Sequence, residues 1–313
     1  MARYLVTGGA GFIGSNIAEK LVEMGEEVVV FDNLSTGHEG NIEHFRQGIK
    51  FVKGDIRSAS EVRDALDGVD HVLHQAALAS VPRSIDDPVL VNEVNVGGTL
   101  TVLEESRHAG VKSLVYAASS SAYGDSEVLP KREDMLPEPL SPYAISKLVG
   151  EHYCSVYSKV YGLPTVSIRY FNVFGPRQDP ASQYAAVIPI FVTHLLEGKS
   201  PTIYGDGEQS RDFTYVGNVV RANIIAARWE QAAGQVINVA CGGRFTLNEL
   251  YHMLCELTGV SIDPVYAETR PGDVKHSHAD ISMAEKLLGY SVETGFEEGL
   301  KRTVEWYKQS GTS

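Results

Sequence analysis

Cysteine is scarce. The three in 313 residues, Cys154, Cys241 and Cys255, are odd in number and lack metal-type spacing, which argues against a disulfide framework and fits a reducing compartment. Positive charge is short too. Lys and Arg number 27 against 40 Asp and Glu, a formal charge of −13, which argues against a nucleic-acid partner or an anionic membrane surface. An anionic ligand must then be met by a few placed arginines. No apolar run is long enough to span a bilayer, and the start of the chain lacks the basic segment, apolar run and small-residue site of a signal peptide. The expectation is a cytoplasmic protein. Repeats and low-complexity stretches are missing as well. Apolar residues, at 43%, suffice for one large core or two adjoining ones.

Short β-branched runs at 3–7, 28–32, 51–54, 71–75, 113–117 and 165–170 alternate with helical patterns. Parallel strands need crossover connections, so this alternation predicts an α/β fold, a doubly wound, mostly parallel sheet covered on both faces. The second half changes character. Pro176, Pro180, Pro189 and Pro201 interrupt it, and strand candidates at 235–240 and 264–267 mix with helices near 247–257 and 296–307. A smaller lobe over the carboxyl edge of the sheet is expected, with ligands in the cleft between the two.

The first strand ends in Thr7-Gly8-Gly9-Ala10-Gly11-Phe12-Ile13-Gly14, which opens a helix closing at Gly25. Gly8 permits a tight turn, Gly11 lets backbone approach a pyrophosphate, and Gly14 lets the helix pack against the strand, while the helix N-terminus points N–H groups at phosphate. Asp32 follows at the end of the second strand, where a carboxylate binds a ribose diol and repels a 2′-phosphate. Residues 33–45 hold no Lys or Arg to accept that phosphate. NAD is favoured over NADP. Asp55, closing the third strand, is placed either to touch the adenine edge or to cap a helix.

Ser141 and Pro142 suit the N-cap and first position of a helix, which puts Tyr143 and Lys147 four apart on one face. An ammonium about 6 Å from the phenol oxygen, at an effective dielectric near 20, stabilises a phenolate by roughly 3 kcal/mol, or about two pKa units. Desolvation opposes this. An ordinary amphipathic helix carries the same pair by chance, but Ser119-Ser120-Ser121 ends the fifth strand at the same edge of the sheet, where hydroxyls can share the reacting proton. The set points to oxidoreductase-type chemistry with Tyr143 as base.

These motifs resemble the extended short-chain dehydrogenase/reductase family nearly end to end. Within it, the stretch from Asp32 to Gly37, the Arg169–Gly175 run, Gly205-Asp206-Gly207 and Arg211-Asp212-Phe213 are similar to the UDP-hexose 4-epimerases. Ser80-Val81-Pro82-Arg83-Ser84 with Asp87-Pro88, and the run from Arg270 to Ser277, look like the subgroup acting on UDP-N-acetylhexosamines.

The resemblance implies an NAD-binding Rossmann domain from 1–175 and 213–240, with a smaller nucleotide-sugar domain from 176–212 and 241–313. It implies C4 epimerisation of a UDP-sugar through a transient 4-keto intermediate, with Tyr143 as base, Lys147 as its partner and Ser119 or Ser120 at O4. Gly8, Gly11, Phe12, Ile13, Gly14, Asp32, Asn33, Ser35, Thr36, Gly37, Asp55, Ile56, Gln75, Ala76 and Ala77 would surround NAD, with Tyr143 and Lys147. Asn95 and Tyr170 would line it as well, or serve as an ordinary capping residue and core aromatic. Asn172, Ala186, Arg211, Arg270, Asp273 and Ser277 would hold the substrate, the two arginines neutralising its diphosphate.

Two departures matter. The serine segment is shorter than the common family form, so counting back from Tyr123-Gly124 selects Ser119 whereas matching the run itself selects a later serine. The Asp-Glu pair of the related 4,6-dehydratases is replaced by Ser120-Ser121-Ala122, which leaves water elimination without its acid and base. A UDP-uronate 4-epimerase or decarboxylase, which needs another cation near C6, and a catalytically silent NAD-binding regulator stand as alternatives. His71, His74, His276 and His278 are expected in packing and surface roles rather than on a metal. The helix predicted between 89 and 109 and the one carrying Tyr143 could build a homodimer through a four-helix bundle.

Overall fold

A computed structural model describes residues 1–181, 186–269 and 275–311. Six strands follow one another through the first half: β1 (Arg3–Thr7), β2 (Glu27–Asp32), β3 (Ile49–Lys53), β4 (His71–His74), β5 (Ser113–Ser119) and β6 (Thr165–Tyr170). With Val236–Val239 they form one seven-stranded sheet, ordered Val236–Val239, β6, β5, β4, β1, β2, β3, and every pairing is parallel. This is the doubly wound Rossmann-type α/β fold expected. The order reverses between β1 and β4, and such a switch point opens a crevice beyond the strand carboxyl ends.

Parallel strands buried on both faces read as continuous apolar runs. In β1, Tyr4 and Val6 pack into one layer with Ile17, Leu21 and Val219, whereas Leu5 packs into the other with Val62, Leu103 and Leu114. A third cluster joins Phe174, Phe191, Phe213, Leu250, Phe296 and Leu300, with Phe213 stacked on Phe296 at a centroid distance of 5.1 Å. Its strands are short pieces, such as Ser210–Arg211 against Phe245–Thr246 and Val265–Ala267 beside Thr202–Tyr204.

Some boundaries differ from expectation. β5 runs two residues further, so Ser119 is its last member. The helix expected between 89 and 109 is Pro88–Asn92, a π-helical stretch Glu93–Gly98, and Thr99–Ala109. Ser80 and Asp87 cap the two short helices that follow them, each accepting a backbone N–H. Among the described residues, no helix is long and apolar enough to cross a membrane.

Candidate active site

The turn after β1 shows why its glycines are glycines. Gly8 sits at φ 65, and a Cβ there would lie 2.7 Å from the Ala76 nitrogen. A Cβ on Gly14 would lie 2.2 Å from the Gly8 carbonyl oxygen, so helix α1 (Phe12–Glu23) can approach the strand only without one. No side chain caps α1, which leaves its first N–H groups aimed into the crevice and free for an anion. That crevice, about 260 Å³, is lined by Gly8, Gly11, Phe12, Ile13, Gly14, Asp32, Asn33, Ser35, Thr36, Ile56, Gln75, Ala76 and Ala77, and by Tyr143, Lys147 and Tyr170 at its far end.

Asp32 is held ready, its carboxylate accepting the Ala10 N–H at 3.0 Å and the Leu34 N–H at 2.8 Å. Gly37 backs it: a Cβ there would meet Asp32 Oδ2 at 2.9 Å. Two other residues expected at the cofactor are not among those that line it. Asp55 spends its carboxylate on Arg57 at 2.7 and 2.9 Å and on Asn33 at 3.1 Å, and hydrogen bonding to Arg57 holds it well below the usual carboxylate range. The helix N-cap position belongs to Ser58 instead. Asn95 is buried and grips the Leu78 backbone and the Ser146 hydroxyl, so it fastens the wall of the crevice to the catalytic helix rather than facing a ligand. The Tyr170 hydroxyl lies 3.0 Å from both the Gln75 and the Asn223 amide oxygens, within reach to donate its one proton to either.

Ser141 caps the Pro142–Tyr161 helix by accepting the Ala144 N–H at 3.1 Å, which fixes where Tyr143 begins. Of the serines, Ser119 is the one whose hydroxyl acts to lower the Tyr143 phenol. Ser120 opens a short 3-10 turn instead. Ser121 supplies what the sequence did not suggest: its N–H and its hydroxyl both donate to Ser119 Oγ, at 3.2 and 2.8 Å. With both lone pairs of that oxygen engaged, its proton is left to donate to an acceptor in the crevice.

The expected lowering of Tyr143 by Lys147 does not appear in the protein alone. Burial raises the phenol above its ordinary value, and the Ser119 hydrogen bond pulls the other way. Lys147 is itself buried, which brings it down to about 8, and its ammonium donates to the Ala117 carbonyl at 2.8 Å. An intermediate dielectric overstates the attraction here, because the desolvation of both groups outweighs it.

A second cavity of about 370 Å³ opens beyond, lined in part by Asn172, Ala186, Gln209, Arg211 and Phe213. Asn172, at φ 35, donates to the Asp212 carbonyl and to Ser277 Oγ, at 3.3 and 2.9 Å. Arg211 is braced by the Ser210 and Lys275 carbonyls. Arg270 and Asp273 lie outside the described residues.

The model of one family, the NAD dependent epimerase/dehydratase family, matches residues 4–240. The chain belongs to that family. A UDP-glucose 4-epimerase of Mycolicibacterium smegmatis is 38% identical over 98% of each chain. A UDP-N-acetylglucosamine 4-epimerase of Methanobrevibacter ruminantium M1, solved with UDP-N-acetylmuramic acid, superimposes with a TM-score of 0.94 at 41% identity over 99% of each chain. A Thermus thermophilus UDP-glucose 4-epimerase solved with NAD gives 0.89 at 40% identity, covering 99% of this chain and all of that one.

The cofactor of this epimerase/dehydratase chain is NAD, and the glycine cradle, the uncapped helix and the buried Asp32 carboxylate are what a dinucleotide requires. Several supporting residues escaped the sequence. Asp212 is fully buried and accepts the Cys241 and Ala279 N–H groups at 3.1 Å each, with burial lifting it to about 6. It ties together the segments that carry Arg211 and Ser277. Asn223, like Asn218, is a polar side chain buried in the otherwise largely apolar Val216–Arg228 helix, a signal that could have been read. The four histidines spread out: His74 is buried between Thr7 and Thr99, His71 meets Ser113, His276 meets Ser210 and His278 the Gly242 carbonyl.

Proposed function

We propose that the chain inverts C4 of UDP-hexoses, taking the N-acetylated pair UDP-GlcNAc/UDP-GalNAc alongside UDP-Glc/UDP-Gal. The observation that carries this is the opening of Tyr143 and Lys147 onto the same crevice as the glycine turn, with Ser119 ending the adjoining strand. Bound NAD supplies reversible oxidation at the sugar carbon. Tyr143 takes the 4-hydroxyl proton and later returns it, and the Ser119 hydroxyl, its lone pairs engaged by Ser121, donates to the same sugar oxygen. Lys147, charged below about pH 8, favours the phenolate and contacts the nicotinamide ribose. Tyr170 and Gln75 brace the wall. Asn172 and Arg211 hold the sugar diphosphate, so the sugar alone turns over between the two half-reactions.

Ser120-Ser121-Ala122 offers no carboxylate for eliminating water, which favours epimerisation over dehydration. The N-acetylated pair is supported by the small Ser277 beside Asn172 and by the archaeal relative named for UDP-N-acetylglucosamine. The same reading takes the third cluster, with residues 176–212 and 241–313, as the sugar-nucleotide lobe, and the cytoplasm as the compartment. A homodimer is part of it: Val89, Ile145, Val156 and Val160 stand exposed on the two helices expected to pair, and a second copy would cover them. Incubating purified protein with UDP-GlcNAc, UDP-Glc and UDP-glucuronate, without added NAD, tests the proposal. Formation of the 4-epimers of the first two supports it; conversion of the uronate alone, or of none, overturns it.

A further inference from the structure

Just past β6 the chain passes through Pro176-Arg177-Gln178, and Arg177 adopts φ 69, a left-handed conformation that residues with a Cβ avoid. Its side chain is 7% exposed, and its guanidinium joins two pieces of the cofactor crevice. Nη2 donates to Asn16 Oδ1 at 2.7 Å and to Glu19 Oε2 at 2.6 Å, both on α1. Nη1 donates to the Asn41 carbonyl at 3.4 Å. His44 pairs in turn with Glu19 at 2.7 Å, and Asn16 Nδ2 closes the ring on the Pro176 carbonyl at 3.1 Å.

Residues 35–44 form an arm whose Ser35 and Thr36 line the crevice. Its middle is pinned where the His38 N–H and Asn41 Nδ2 donate to the Ala10 carbonyl, at 3.0 and 2.9 Å. Its far end is held by Arg177. On the other side, the next carbonyl, that of Gln178, takes the Tyr307 hydroxyl from helix Phe296–Ser310, so the same short segment is anchored to the third core. If the arm swings away, Nη1 of a buried cation loses the Asn41 carbonyl, and Nε already has no acceptor. The ion pair to Glu19 stays, but a buried donor left without any acceptor is disfavoured.

We infer that Arg177 is a clasp that keeps residues 35–44 shut over the crevice, and that this closure, anchored in the third core, makes NAD a resident cofactor. Arg177 acts here as a positioning residue, touching neither cofactor nor sugar. The inference rests on NAD occupying the crevice and is independent of which sugar is turned over.

The test compares wild type, Arg177→Met and the milder Glu19→Gln, which keeps the guanidinium but removes its charged partner. Bound NAD(H) is measured after gel filtration, and its release is followed with an NAD-consuming dehydrogenase as trap. Arg177→Met should release NAD about tenfold faster or more, since weakened retention shows in the off-rate. Glu19→Gln should move the same way by less. Turnover lost on stripping should return with saturating NAD at unchanged KM for the UDP-sugar, a rescue that a general packing defect would not give. If Arg177→Met does not fold, Glu19→Gln and His44→Ala decide by the same release assay. Release rates in the folded variants within about twofold of wild type, or turnover that added NAD does not restore, overturn the inference.

Discussion

Two replacements at Ser277 separate a contact from a space. Its hydroxyl accepts from Asn172 Nδ2 at 2.9 Å, and its N–H donates to the Ser210 carbonyl at 3.0 Å, so the backbone is fixed whichever side chain follows. Ser277→Ala removes the acceptor and adds no bulk. A lost hydrogen bond of about 1 kcal/mol should lower kcat/KM by about fivefold for UDP-GlcNAc and UDP-Glc alike, because Asn172 is loosened for both. Ser277→Tyr loses the same contact and also fills the space an acetamido group would use. Overpacking of roughly 1–3 kcal/mol adds about a further ten- to hundredfold against the N-acetylated pair. The plain pair is therefore not spared, as bulk alone would suggest, but falls only as far as it does in the alanine variant. The assay is kcat/KM for both substrates on all three proteins. A ratio of the two substrates that stays the same in Ser277→Tyr would refute the reasoning that this position gates the sugar's 2-substituent.

Tyr143→Phe should fold and retain NAD yet lose at least about a hundredfold in turnover, the scale for a missing acid or base; near-normal turnover would remove Tyr143 from the chemistry. Ser121→Ala deletes one of two donors to Ser119 Oγ, and kcat should fall about fivefold with KM unchanged, whereas a loss equal to that of Ser119→Ala would contradict the supporting role. Burial holds Lys147 at about 8 against an ordinary 10.5. Below pH 8 both folded and unfolded chains carry the proton and the burial cost is felt in full. Between those values only the folded amine has lost it, so this group makes stability rise with pH across the window. Denaturation of cofactor-free protein should show that rise relative to Lys147→Met, and parallel pH profiles would contradict it. Calorimetry should find NADP binding far more weakly than NAD, and equal affinities would overturn the part assigned to Asp32.

The sheet was legible because a strand buried on both faces must be apolar at every position, as in Tyr4-Leu5-Val6, and because glycine at positions 8 and 14 answers to a steric demand that nothing else meets. Tyr143 and Lys147 were legible for a similar reason, since four residues on one helix is a distance. What was not legible was direction. Asn95 and Asp55 sit where a ligand-facing residue could sit, but a polar side chain turns to whichever partner is nearest, and Leu78 and Arg57 were not visible in a linear reading. The choice among three serines needed the length of β5, which runs to Ser119, and the balance of charge at Tyr143 needed the burial of both partners. Asp212 and Arg177 were harder still, because each is defined by backbone groups or side chains far away in the chain.

The tie from Lys147 to the Ala117 carbonyl joins the helix that bears Tyr143 to the strand that ends in Ser119. The stretch between Ser121, which orients Ser119, and Ser141, which caps that helix, residues 122–140, therefore does not set their spacing. It reaches across instead, the Lys131 N–H donating to the His278 carbonyl and the Asp280 N–H to the Lys131 carbonyl, and so rests on the segment that carries Ser277. On the proposed function, changes in that stretch would retune which sugars are admitted while Tyr143 and Ser119 keep their relation. Specificity and chemistry are in this sense separately editable, and exchanging this stretch between relatives with different substrates is the shortest route to a chimera that keeps its rate and changes its preference.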